Sequence, residues 1–298
     1  MKLAIDIEHQ NPGYIDQRGG VALLSHLRGA SDRVEHRRGA IDRACGLFEA
    51  AIDEGKPDPE AGGLGLLVMQ RALLAAEDLG GLLHAFDGTD PWERLRTTKI
   101  PDLKAAFERG LDKPEAVLAK VFRLASEEQI NEELASQEER QVLYRLRQLA
   151  LQRWSGMLRR SAGLWLRLYN VAKATMHGYP LVAGAHIEGP PRAGEIADDI
   201  ESPARRYAVA VTSRMVGREV ITDRQIIALD REAVASYRRG GMTAARLTLE
   251  LCDTQEEGIM TGHAAGVPLR GARFLDSESQ AIAERFGAKR TEASERAA

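Results

Sequence analysis

Residues 136–177 read SQEERQVLYRLRQLALQRWSGMLRRSAGLWLRLYNVAKATMH, the longest stretch of the chain that keeps one apolar period. Leu143, Leu146, Ala150, Trp154, Met157, Ser161, Leu164, Leu168, Ala172 and Met176 recur at gaps of three and four, which places them on one side of a helix. Ser136 with Glu139, or Ser126 with Gln129 upstream, offers a capping-box start. An unbroken helix over 136–177 would run roughly 60 Å at 1.5 Å per residue. Gly156 and Gly163 are the places where it could bend. A helix of this length with one apolar stripe needs other helices to cover that stripe, so the stretch predicts a bundle.

Working outward, LGLLVMQRALLAAEDLGGLLHAF (64–86) places Leu66, Met69, Leu73, Ala76, Gly80 and Leu83 on a second stripe. Gly80 and Gly81 weaken a helix interior by about 1 kcal/mol each against alanine unless another chain segment packs close there. DGTDPW ends that helix, and further helices are expected over 101–109 and from Pro114 to about residue 125. Upstream, residues 21–54 are helical in pattern but heavily charged and read as a helical hairpin, closed by the breaker cluster KPDPEAGG at 56–63.

Beyond Gly178 the period changes. An acidic, proline-rich loop at 187–203 precedes YAVAVTSR and REVITDRQIIAL, which read as two strands joined through Met215, Val216 and Gly217. Asp230 caps a last helix running to about Cys252, with an interruption at Gly240-Gly241. The expected fold class is mainly α, an antiparallel helical bundle with a small β-hairpin inserted before the last helix. Its expected divisions are a charged N-terminal helical unit (1–60), the bundle (61–258) with the hairpin near 205–229, and a flexible C-terminal tail (259–298).

Composition bounds the function classes. Aromatic residues are only 5% of the 298, which favours helices over an aromatic-rich sheet fold. The formal net charge of -3 gives no global attraction to nucleic acid or to an anionic membrane, so any such affinity must come from a local patch. No run approaches the 18 or so apolar residues of a membrane span, and MKLAIDIEHQ lacks the apolar segment of a signal peptide. A cytoplasmic protein with no membrane partner is expected. Cys45 and Cys252 stand alone in the sequence and are expected to be buried free thiols.

Metal chemistry fails on spacing. The residues three before His9, His26, His36, His84, His177, His186 and His263 are Asp6, Leu23, Arg33, Gly81, Ala174, Ala183 and Met260, so the Glu-x-x-His pair of a di-iron bundle is missing. Neither a metal nor a cofactor is expected. Glu77 and His84 lie two turns apart, about 10 Å, and read as surface residues rather than a dyad.

The charged residues of the long helix carry the functional question. At about 100° per residue, Arg167, Asn170, Lys173 and His177 fall together opposite the apolar arc. Between Arg140 and Ile187 the sequence has no acidic residue, while Arg140, Arg145, Arg147, Arg153, Arg159, Arg160, Arg167 and Lys173 all fall there. A basic stripe of this kind suits phosphate contacts. The same arginines could instead pair with carboxylates on neighbouring helices and serve structure alone.

Tyr169-Asn170, Lys173 and His177-Gly178, following the helix LLVMQRALLAAEDLGGLLHAF, resemble a group of uncharacterised bacterial helical proteins related to the HEPN superfamily, over residues 64 to about 255. The resemblance implies a helical fold, homodimerisation and, in active members, metal-independent RNA cleavage by an Arg and a His a few residues apart. Here Arg167 and His177 are separated by more than that family's spacing. Two expectations follow. One is a dimeric regulatory or interaction module whose basic 140–177 helix meets RNA or a protein. The other is a HEPN-like RNA-cleaving enzyme, with His177 as general acid/base and Arg167, Asn170 and Lys173 holding the phosphate.

Overall fold

The computed structural model describes residues 17–56, 58–124, 127–133, 137–169, 182–183, 207–216 and 219–261. The chain is mainly helical and forms a helical bundle. Its elements, in order, are α1 (Gln17–Asp53), α2 (Asp58–Phe86), α3 (Pro91–Thr97), α4 (Ile100–Asp112), α5 (Pro114–Val121), α6 (Glu127–Glu133), α7 (Gln137–Arg167), β1 (Val182–Ala183), β2 (Tyr207–Val216), β3 (Glu219–Ala228) and α8 (Arg231–Thr261). The strands pair antiparallel in the order β1-β2-β3, with Val182 opposite Val209 and Tyr207 opposite Ala228. Two compact units divide the chain: 1–33, 79–162 and 246–298 in one, 34–78 and 163–245 in the other. Each of the four long helices contributes a segment to both.

Within the described residues both predicted stripes are buried; Ala172 and Met176 of the first lie outside them. Leu143, Leu146, Ala150, Trp154, Met157, Leu164 and Leu168 of α7 lie out of water, as do Leu66, Met69, Leu73, Ala76 and Leu83 of α2. Ser161, the polar member of the α7 stripe, is fully buried and donates its hydroxyl to the Met157 carbonyl one turn back at 2.9 Å. Trp154 stacks on Phe122 with ring centroids 3.8 Å apart, so α5's end and α7 meet through flat aromatic faces. Its indole N–H donates to Glu250 at 2.6 Å, which satisfies the polar atom that burial would otherwise strand.

Helix ends follow local chemistry. Asp90 caps α3 by accepting from the Glu93 N–H at 3.0 Å, and Asp230 caps α8 by accepting from the Ala233 N–H at 2.8 Å. At the end of α1, Gly55 takes φ +67° while the Gly55 and Lys56 N–H groups bond back to Ile52 and Ala51. The same closure ends α5, where the Arg123 and Leu124 N–H groups bond to Lys120 and Ala119. There the left-handed residue is Arg123 at φ 50°, a position that glycine fills more cheaply.

Several expected boundaries move. Residues 21–54 do not form a hairpin, because α1 is one 37-residue helix. The breaker cluster at 56–63 ends sooner than expected: α2 starts at Asp58 and carries Gly62 and Gly63 inside it, since Pro59 is tolerated in a first turn. Residues 127–133 form a separate short helix, α6, and α7 begins at Gln137 and continues helical through Gly156 and Gly163.

Gly240-Gly241 does not interrupt α8 either, which continues to Thr261. A Cβ on Gly241 would stand 2.6 Å from the Ala72 Cα of α2, and one on Gly240 2.7 Å from the Leu164 side chain of α7. The glycines allow backbones to approach, and that packing outweighs their poor helix propensity. Gly80 plays a similar part against the Phe107 ring, 2.9 Å from where its Cβ would be, whereas a Cβ on Gly81 would meet nothing within 4 Å.

These neighbours make opposite predictions. Gly241→Ala must push two helix backbones apart and is expected to lose about 1–3 kcal/mol of stability, the usual cost of overpacking. Gly81→Ala meets open space and is expected to gain about 0.5–1 kcal/mol from propensity. Urea unfolding of both variants checks this; equal effects from the two would show that backbone approach does not decide the site.

Candidate functional site

Of the four residues singled out by the helical-wheel argument, Arg167 closes α7 and is exposed. Asn170, Lys173 and His177 lie outside the described residues. The quartet is therefore located by one member, at the point where Leu168 is still buried and Tyr169 packs edge-on to Trp165, ring centroids 5.1 Å apart.

Along α7 the exposed positions from Gln141 onward are Gln141, Arg145, Gln148, Leu149, Gln152, Arg159, Arg160, Gly163 and Arg167. None is acidic. The arginines of this stretch divide in two. Arg153 turns inward to Glu250, a carboxylate that also receives the Trp154 indole and Arg246 at 3.2 Å. Arg145, Arg159 and Arg160 are exposed, and no carboxylate whose side chain is described pairs with them.

Helix α8 shows what a structural use of exposed arginines looks like in the same molecule. Arg231 pairs with Asp53, Arg238 with Asp42 at 2.8 Å, and Arg246 with Glu250 on its own helix. In α1, Arg37 reaches Asp78 of α2 at 3.1 Å and Arg38 reaches Glu35 at 2.8 Å. Placing several like charges on one helix face without counter-charges is unfavourable by a few tenths of a kcal/mol per close pair.

A second cluster is one that sequence reading misplaced. Glu77 is not a surface residue: its carboxyl is desolvated, and burial raises its pKa to about 7. The indole of Trp165, itself fully buried, and the Arg37 guanidinium favour the ionised form, and Asp78 opposes it. Desolvation is the largest of these effects and sets the direction. The Arg37 and Asp78 side chains that flank it are themselves mostly buried. No periodicity signal could have found this, because Glu77 occupies an ordinary polar position of the α2 pattern and only α1 and α7 packing removes its water.

His84 has a different environment from the surface position expected of it. Its Nδ1 lies 3.0 Å from Arg94 Nη2, and because an arginine only donates, Nδ1 accepts and the ring proton sits on Nε2. Burial, then Arg94, lowers its pKa. His26 is lowered likewise by burial and by Arg33, and meets Trp92 edge-on at 6.2 Å. The surroundings of both imidazoles favour the neutral form. Cys45 and Cys252 are buried free thiols, as expected, and burial with Glu49 beside it raises the Cys45 pKa away from thiolate chemistry.

Among the described residues no group of three or more His, Cys, Asp or Glu could hold a metal ion, and no helix is long and apolar enough to cross a membrane. Comparisons with protein-family models, with curated proteins and with solved structures find no match to this chain. The fold is a helical bundle, and among its described residues α7 displays an exposed face that is basic and acid-free from Gln141 onward.

Glu77 gives a stability prediction whose sign is fixed by linkage. With its folded pKa raised from 4.5 to about 7, the protein holds a proton that the unfolded chain releases, so the protonated group's contribution is complete below pH 4.5 and is lost by about pH 7. Glu77→Gln removes this dependence. At pH 8 the variant is expected to be more stable than the parent by up to about 3 kcal/mol, at 1.36 kcal/mol per unit, and at pH 4 nearly equal to it. Chemical unfolding of both at the two pH values measures the difference; a difference that does not change with pH would show that Glu77 ionises freely in the fold.

Proposed function

We propose that the protein is a helical interaction module, regulatory rather than metabolic in role, whose working surface is the exposed face of α7. The observation that carries this reading is the set Arg145, Arg159 and Arg160, exposed on a helix face that has no acidic residue from Gln141 onward and paired with no carboxylate among the described side chains. Cations spread along an acid-free face give that face a local positive field that an anionic partner would meet favourably. Self-association is not assigned to this face, since a two-fold axis would set arginine against arginine.

Charge reversal tests the surface without naming the partner. Heparin serves as a generic polyanion probe. The wild-type protein is expected to be retained on heparin at low salt in spite of its formal charge of -3, and Arg159→Glu/Arg160→Glu to flow through. Because both residues are exposed, the melting temperature should hold to within the small range of surface substitutions, about 0.5 kcal/mol. Equal retention of both proteins would remove α7 as the working surface.

A further inference from the structure

We infer that the exposed face of α7 binds the phosphate backbone of B-form duplex DNA, with Arg145, Arg159 and Arg160 as the phosphate contacts. This rests on the reading of α7 as the interaction surface and adds the partner's chemistry. At about 100° per residue the three arginines lie within an arc of roughly 100°, so one ligand can meet them all. Arg145 and Arg159 stand about 21 Å apart along the axis at 1.5 Å per residue, a span of roughly six base-pair steps at 3.4 Å each.

What lies between the arginines sharpens the choice among polyanions. Gln148 and Gln152 present amides that both donate and accept, suited to phosphate oxygens and base edges. Gly156 lies one turn before Arg159 with nothing within 4 Å of where its Cβ would be, so the helix backbone itself is approachable there. No aromatic side chain is exposed from Gln141 to Arg167, which leaves single strands without the stacking platform they use. An α-helix about 10–12 Å across matches the B-form major groove, about 12 Å wide, while the A-form groove of duplex RNA is too deep and narrow to admit it. An acidic protein would be met by the same charges, but the long spacing of guanidinium groups along one straight edge suits a regular array of phosphates better than scattered carboxylates.

The test uses the full chain and fluorescence anisotropy with a labelled mixed-sequence DNA duplex, the RNA duplex of the same sequence and the DNA single strand, at 50 and 200 mM salt. Three neutralised phosphates give a slope of about -2.7 in log K against log salt, so DNA binding is expected to weaken about fortyfold over that range. Arg145→Gln/Arg159→Gln/Arg160→Gln should lose at least tenfold in affinity and most of the salt dependence. The Lys versions of the same three should keep both. Arg33→Gln/Arg71→Gln/Arg239→Gln, which removes the same charge from exposed positions elsewhere, should bind like wild type.

Absence of salt-sensitive DNA binding at 50 mM, or equal loss in the two Gln triples, would overturn the inference, as would tighter binding of the RNA duplex or the single strand. Heparin retention that depends on Arg159 and Arg160 without DNA binding would sink this inference and leave the interaction surface standing. Loss of retention as well would sink both.

Discussion

Helix α2 has little polar surface to give to water, and that constraint organises the bundle. From Ala61 to Phe86 its buried residues cover more than half of its circumference, and the remaining side, with Gln70, Arg71, Leu74 and Asp78, is left only partly covered. Small residues then set how closely others approach. At Ala72 the backbone of α8 comes within reach because Gly241 has no side chain, and at Gly80 the Phe107 ring fills the space that a Cβ would take. Alanine and glycine are abundant along this helix because larger residues would hold its neighbours off, and close packing contributes more than the propensity they give up.

Covering α2 has a chemical consequence. Glu77 stands on the same helix, and the segments that bury its apolar neighbours also strip water from its carboxyl. Such a group is destabilising when ionised, and it is stabilised as an acid by the fold that surrounds it. The Arg37–Asp78 pair and the Trp165 indole moderate the effect without reversing it. Position alone makes this carboxyl unusual, since glutamates at polar positions inside a helical pattern are common and mostly wet.

Charge is distributed by the same packing logic. Inward arginines find carboxylates, as Arg153 finds Glu250, and outward arginines of α8 reach Asp42 and Asp53 across to α1. On α7, Arg145, Arg159 and Arg160 face outward with no described carboxylate side chain to meet them, as Arg33 and Arg43 of α1, Arg71 of α2 and Arg239 of α8 also do; what sets the α7 stretch apart is that no exposed position from Gln141 onward is acidic. The sequence shows that acids are missing from 140–187, and the structure shows which of the arginines this leaves exposed.

The helical class, both apolar stripes, the Asp230 cap and the buried free thiols were legible in the amino-acid order, because each depends on neighbours three or four residues away. Glycine was not. Gly240-Gly241 and Gly62-Gly63 read as breakers from local propensity, yet they lie inside helices, because whether a missing Cβ weakens a helix or lets another one approach is decided by what packs against it. The candidate quartet followed from a helical wheel, which located Arg167 on an exposed face but could not say which arginines lacked counter-charges. Glu77 was placed at the surface for the same reason. Periodicity reports the direction of a side chain on its own helix; desolvation, pairing and close approach belong to the surfaces of other helices, and only the tertiary structure brings those together.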